Sequence, residues 1–283
     1  VFHEYIDILL RDFLRKRFLI SDYGARNTNF VVRRWIKKYT RMKQPFFIFI
    51  NYMETHAPYG DTPYRKKFRK TLTRRQLDKI NELGKIMARH GNISGKQKRL
   101  LTDLYDADLL YLDYRVGELI NYLKKLKILD KTIIIITADH GEHLGDHNRV
   151  GHGNSLYDAL IHVPLIIRYP SKLTPGTKIQ TQFSHVELMD FLLHQLNIES
   201  ELNNITARYL SVRNIMRAHK ITISELKKPT IKTIRQDGKF KYLLNKTANE
   251  EELYNIAEDY QESNNVADKN LSMVEYFKEI LKN

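Results

Sequence analysis

Apolar positions fall into two patterns along the first two thirds of the chain. Leu9, Leu10, Phe13, Leu14 and Phe18 recur at helical spacing, as do Val31, Val32, Trp35, Ile36 and Tyr39. The polar stretch Ser21 to Thr28 between them reads as a loop and cap. Gln44-Pro45 stops the second helix, and Phe46-Phe47-Ile48-Phe49-Ile50 is a continuous run of β-favouring residues, which predicts a strand buried on both faces. Residues 61–98 are basic and weakly periodic, and they predict a surface excursion carrying one helix. Leu101, Leu104, Leu112, Val116, Leu119, Ile120, Leu123 and Leu126 predict a long amphipathic helix. Strands follow at 132–137 and 163–167, then a helix from about Val186 to Leu196. Helix and buried strand therefore alternate, which predicts an α/β fold with a mostly parallel sheet between helices. Beyond residue 200 the pattern changes. Thr230 to Arg235 and Phe240 to Leu244 flank Asp237-Gly238, a hairpin turn signal, and a last helix spans about Ser272 to Leu281. We expect an α/β catalytic part over 1–200 and a small α+β subdomain with antiparallel strands over 201–283.

In open parallel sheets, ligands bind beyond the carboxyl ends of the strands. Two loops leave such ends. One carries His56 after Ile50; the other is Asp139-His140-Gly141-Glu142-His143-Leu144-Gly145-Asp146-His147, with Gly151-His152-Gly153 beyond it. Acidic, His-rich loops are often only solvated, but an adjacent Asp-His pair directly after a buried strand can give a carboxylate oxygen and an imidazole nitrogen to one divalent cation. Gly141 lets the backbone turn beside the pair. His3, His90, His185, His194 and His219 have no such setting and read as surface or packing residues.

Composition narrows the chemistry. The 283 residues contain no cysteine, which excludes disulfides, thiolate metal sites and a cysteine nucleophile within them. The formal charge of +14 favours anionic partners. Basic runs such as Arg65-Lys66-Lys67-Phe68-Arg69-Lys70 lack any nucleic-acid motif, so solvated helix faces are the expected use and nucleic acid is not an expected partner. No segment approaches the ~20 apolar residues of a membrane helix. Val1-Phe2-His3-Glu4-Tyr5 resembles no signal peptide and lacks an initiator Met, so the chain reads as a piece of something longer. The compartment stays open, leaning cytoplasmic, and the oligomeric state is unknown.

Five ordered motifs carry a family resemblance. Phe46 to Tyr59, ending His56-Ala57-Pro58-Tyr59, resembles the H-x-P-Y segment of sulfatases. Ile136-Thr137-Ala138-Asp139-His140-Gly141-Glu142, with Leu144-Gly145-Asp146-His147, is similar to that family's second metal motif, and Gly151-His152-Gly153 through His162-Val163-Pro164-Leu165-Ile166-Ile167 continues it. Ser184-His185-Val186-Glu187-Leu188 and Leu253-Tyr254-Asn255 with Asn264-Asn265-Val266-Ala267 resemble its later segments. The chain is thus identified as a sulfatase-like member of the alkaline phosphatase superfamily.

The resemblance implies an alkaline-phosphatase-like sandwich and sulfate ester hydrolysis. It implies Asp139 and His140 as ligands of one divalent cation, usually calcium, with magnesium, manganese or zinc as alternatives. His56 would contact the sulfate or leaving oxygen. His152 stands where many members hold the sulfate with a lysine, a job it does only when protonated. His147 is a further substrate-binding candidate. The expected substrate is a sulfated small molecule or glycan. Sulfatases also carry an Asp-Asp pair and a C/S-x-P-x-R motif whose first residue becomes formylglycine. Neither occurs here; Asp61-Thr62-Pro63-Tyr64-Arg65 begins with Asp and follows the H-x-P-Y motif. We therefore expect an N-terminally truncated chain with the second half of the active site. Alternatives are a phosphodiesterase, phosphonate hydrolase or phosphoglycerol transferase of the same superfamily, or an inactive anion-binding relative.

Overall fold

The computed structural model describes residues 22–60, 62–68, 73, 93–153, 155–179, 182–196, 198, 221–226, 231–236 and 238–282. The predicted helix around Leu9 to Phe18 and His3, His90 and His219 lie outside these residues. The chain forms two compact units. One includes the described residues up to 134 with 148–151 and 169–172; the other includes 135–147, 152–168 and the described residues from 173 onward.

In the first unit, helix α1 (Ala25–Arg41) begins inside the stretch expected to be loop. Gly24 makes this start possible, since its φ of 118° is open to a residue without a Cβ. Two carboxylates serve the orphan N–H groups of the first turn. Asp22 accepts from Gly24 and Arg26, both at 3.1 Å, and Glu54 accepts from Ala25 at 2.6 Å. Helix α2 (Arg65–Phe68) is a single turn in the basic excursion. Helix α3 (Gly95–Lys125) starts at a reciprocal cap: the Ser94 hydroxyl accepts from the Gln97 amide, and Gln97 Oε1 accepts from the Ser94 amide. Its buried stripe is Leu101, Leu104, Ala107, Asp108, Tyr111, Leu119 and Leu123. The predicted stripe is thus correct at Leu101, Leu104, Leu119 and Leu123. Between Leu104 and Leu119 the buried positions are Ala107, Asp108 and Tyr111, not Leu112 and Val116; Asp108 accepts the Gly60 N–H and the Tyr111 hydroxyl donates to Asp22.

Phe46 to Ile50 departs from expectation. These residues join no ladder among the described residues, and their burial alternates: Phe46, Ile48 and Ile50 are partly covered, while Phe47 and Phe49 are 78% and 83% exposed. A continuous apolar run predicts burial on both faces, but cover on both faces requires neighbours that the described residues do not supply.

In the second unit, β1 (Ile134–Thr137) pairs with β2 (Leu165–Arg168), close to the predicted strands. Helix α4 (Asp158–Ile161) lies between them in sequence, and helix α5 (Leu188–Gln195) follows a single 3-10 turn at His185–Glu187. His185, exposed, places Nε2 2.8 Å from the Thr137 hydroxyl. The C-terminal part exceeds the predicted hairpin. Strands β3 (Ile221–Leu226), β4 (Ile231–Gln236), β5 (Phe240–Asn245) and β6 (Glu250–Asn255) form an antiparallel sheet in sequential order. Helix α6 (Leu271–Lys282) covers one face, where Ile234, Tyr242 and Leu253 meet Val274 and Phe277. The other face packs Ile231, Leu243 and Tyr254 against Leu156 and Tyr157, the residues just before α4. A sheet covered on both sides explains why side chains of either parity along β5 are buried.

Candidate functional site

The His56 loop belongs to the first unit and is held by buried carboxylates. Glu54, fully buried, spends one oxygen on Ala25; its other oxygen has no hydrogen-bond partner among the described residues. Burial pushes its carboxyl above the ordinary value of 4.5, against the Ala25 N–H that favours the anion. Asp108, also fully buried, accepts the Gly60 N–H at 2.7 Å. Tyr59 is buried edge-on to Tyr105, and the Tyr23 hydroxyl donates to the Pro58 carbonyl. Upstream, the Tyr52 hydroxyl donates to Asn29 Oδ1 at 2.6 Å, and burial, with Glu54 and Glu118 nearby, lifts its pKa to about 12. His56 itself points a ring nitrogen, Nδ1, at the Ala57 carbonyl at 2.7 Å. A carbonyl only accepts, so Nδ1 carries a proton.

The second loop leaves β1 in the other unit. Asp139 Oδ1 accepts the His140 backbone N–H at 3.0 Å. His140 Nδ1 faces the Gly141 carbonyl at 2.8 Å, which fixes its proton there and leaves Nε2 as the electron-pair donor. That Nε2 and Asp139 Oδ2 stand 3.9 Å apart, and the Asp139 side chain is 81% exposed. One carboxylate oxygen and one imidazole nitrogen at that separation suit a shared divalent cation with a wide ligand angle. Among the described residues no group of three or more such donors assembles. Asp139 and His140 by themselves bring two donor atoms together.

His152 is brought to this pair. Its ring lies on that of His140 at 4.2 Å between centroids, and its Nδ1 is 2.9 Å from Glu142 Oε1. Glu142, which the sequence reading leaves without a role, thus orients His152; its place two residues after His140 was the available signal. His147 is built differently. It sits at a positive φ of 52° and stacks on Tyr157 at 3.7 Å and 5°. His143, buried, contacts the Ser155 hydroxyl at 2.7 Å.

Gly141 is required by a close approach. Its N–H donates to the Leu160 carbonyl at 2.7 Å, and a Cβ added here would overlap the Ala159 carbonyl oxygen. The loop therefore rests directly on α4.

The family profile described as Sulfatase matches residues 16–198. The chain belongs to the sulfatase family. A Bacteroides thetaiotaomicron N-acetylglucosamine-6-O-sulfatase is 35% identical over 107 residues, covering 38% of this chain and 19% of that protein. Human iduronate 2-sulfatase is 28% identical over 163 residues, covering 48% of this chain and 29% of that one. This chain thus spans less than a third of either sulfatase. The solved structure of a Bacteroides fragilis protein described as a sulfatase superposes with a TM-score of 0.71 at 20% identity, over 92% of this chain and 57% of the other. That likeness establishes the alkaline-phosphatase-like α/β fold of the sulfatase family, with its C-terminal antiparallel sheet. Sulfatases generally employ a divalent cation. No helix among the described residues is long and apolar enough to cross a membrane.

Proposed function

We propose that this chain forms the part of a sulfatase that holds its cation and grips the sulfate ester of an anionic glycan. The observation that carries the reading is the Asp139–His140 pair: two unlike donors, each with its other polar atom occupied by backbone, standing 3.9 Å apart just after β1. Asp139 and His140 are the proposed ligands and calcium the proposed cation. When bound, the cation supplies positive charge that stabilises the oxygens of the reacting ester. His56 and His152 are the proposed sulfate contacts: the first held by a rigid loop, the second oriented by Glu142 and, when protonated, able to donate to a sulfate oxygen from Nε2. His147, stacked on Tyr157, contributes a ring edge to the same loop. Residues 1–200 are read as catalytic and 201–283 as the small subdomain.

The names of the two sulfatases, one acting on N-acetylglucosamine 6-O-sulfate and one on iduronate 2-sulfate, support a sulfated sugar as substrate. The +14 charge is in keeping with it. The family's formylglycine has no Cys or Ser in the C/S-x-P-x-R context within these 283 residues. In this reading the nucleophile comes from polypeptide outside them.

Calorimetric titration of calcium into the chain and into Asp139→Asn tests the site. Weak binding that the substitution abolishes is expected; equal binding by both removes Asp139 from the site. The chain alone should show little turnover of an aryl sulfate, and robust turnover would overturn the reading that the nucleophile lies elsewhere. Turnover of an aryl phosphonate but not an aryl sulfate would favour a phosphonate hydrolase.

A further inference from the structure

The residues between His152 and α4 meet the C-terminal sheet through a cluster of buried charges that the cation site does not use. Lys241 of β5 is 0% exposed. Its ammonium lies 2.8 Å from Asp158 Oδ1 and 2.5 Å from Glu262 Oε1. Arg235 stands directly opposite Lys241 across the β4–β5 ladder, and its Nε lies 3.1 Å from the other oxygen of Asp158. Like charges directly opposite on neighbouring strands repel. Here they converge on one carboxylate, so the cluster closes with two cations and two anions. Glu262 adds a second link: its Oε2 accepts the Asp158 backbone N–H at 2.7 Å, at the start of α4. It does so from a backbone held at a φ of 55°, unusual for a residue with a side chain. Beside it, the Tyr157 hydroxyl donates to Glu252 Oε1 of β6 at 3.0 Å.

The same short segment bears the catalytic-side loop. Tyr157 stacks on His147, Ser155 meets His143, the Leu160 carbonyl takes the Gly141 N–H, and the Ala159 carbonyl abuts the Gly141 α-carbon. Gly141 is the residue immediately after His140. Segment 155–161 is thus a spacer with the sheet on one side and the ligand loop on the other.

We propose that Lys241, with Glu262, is a positioning residue: through Asp158 it clamps segment 155–161 to the C-terminal sheet, and so sets the place of Gly141 and the Asp139–His140 pair. The proposal rests on the cation reading above only for its functional meaning; the mechanical link stands without it.

Hydrogen exchange and Mn2+ titration of the full chain test it on Lys241→Met, which keeps the apolar stem, and on Lys278→Met, which removes an ion pair with Glu251 and Glu275 elsewhere in the C-terminal part. In Lys241→Met the amides of 139–147 and 155–161 should exchange about tenfold faster while those of β4, β5 and α6 hold, and Mn2+ affinity should fall by about tenfold, as for loss of a ligand's support. Lys278→Met should change neither. Unchanged exchange in 139–147 of a folded Lys241→Met overturns the proposal. If that variant does not fold, Glu262→Gln decides: selectively faster exchange in 139–147 supports the clamp, and unchanged exchange overturns it. Absence of both Ca2+ and Mn2+ binding by the unaltered chain would refute the cation reading and leave the exchange result to judge the clamp by itself.

Discussion

The His56 loop and the Asp139–His140 loop are both fixed by buried charge, by opposite means. Around His56 the buried carboxylates of Glu54 and Asp108 accept backbone N–H groups. Below Asp139 and His140, the carboxylates of Asp158 and Glu262 are matched by Lys241 and Arg235. A carboxylate such as Glu54, held by a backbone N–H, keeps much of its desolvation cost, whereas one paired with cations shifts that cost into a cluster that fails as a unit. The pKa directions express this. Burial raises Glu54 with no cation to oppose it. Burial would raise Asp158 too, but Lys241 and Arg235 outweigh it and hold the carboxyl below its ordinary value. Glu262 shares one cation, feels burial and the charge of Asp158, and stays above its ordinary value.

The contrast is sharpest under substitution. Lys241→Ala should destabilise the second unit by about 3–5 kcal/mol, since two buried carboxylates lose their shared partner. Urea unfolding would show it, and a loss under about 1 kcal/mol would refute the cluster's cooperative role. Asp108→Ala should cost less, about 1.5–3 kcal/mol, the range for removing a charged acceptor from a buried N–H such as that of Gly60. A loss equal to that of Lys241→Ala would erase the distinction between the loops. Gly141→Ala should cost about 1–3 kcal/mol through its clash with Ala159. Gly117→Ala, in the middle of α3 with nothing within 4 Å, should instead stabilise by about 0.5–1 kcal/mol. Matching effects at the two glycines would contradict the close approach at Gly141.

The pH dependence is a finer probe. Folded Glu54 keeps its proton to a higher pH than the unfolded chain does, so the folded state binds more protons just above 4.5. Its contribution to stability therefore falls as pH rises from 4.5 through its raised folded value. Glu54→Gln should remove that part of the slope, so melting curves of the two proteins should draw together on acidification. Curves that stay parallel would show that Glu54 titrates normally. The smallest effect belongs to Asp139→Asn. At 81% side-chain exposure, it should leave metal-free stability within about 0.5 kcal/mol while abolishing calcium binding.

Much of the candidate site's grouping was legible in the sequence because its residues are local. Asp139, His140 and Gly141 are neighbours, and the pattern of Ile133 to Thr137 places them at a strand end. His152 joins them across a loop whose glycines at 145, 151 and 153 all take positive φ. What escaped was set by register. Lys241 sits between Phe240 and Tyr242 in a run that looks like an ordinary half-exposed strand, and only the ladder reveals Arg235 opposite it. Glu262 lies in a polar stretch that reads as loop, and its partner Asp158 is about a hundred residues away in sequence. The strand expected to be covered on both faces was misjudged for a similar reason, since periodicity reports what a segment prefers and not whether its neighbours are at hand.

That exposed segment has a practical consequence. Phe46-Phe47-Ile48-Phe49-Ile50 is uncharged, aromatic and free of proline, and it joins no ladder among the described residues. Such a stretch is a template on which another chain can add a strand. When these 283 residues are expressed by themselves, chains can pair along this pentapeptide. A lysine in place of Phe47, on the 78% exposed side, acts as a gatekeeper.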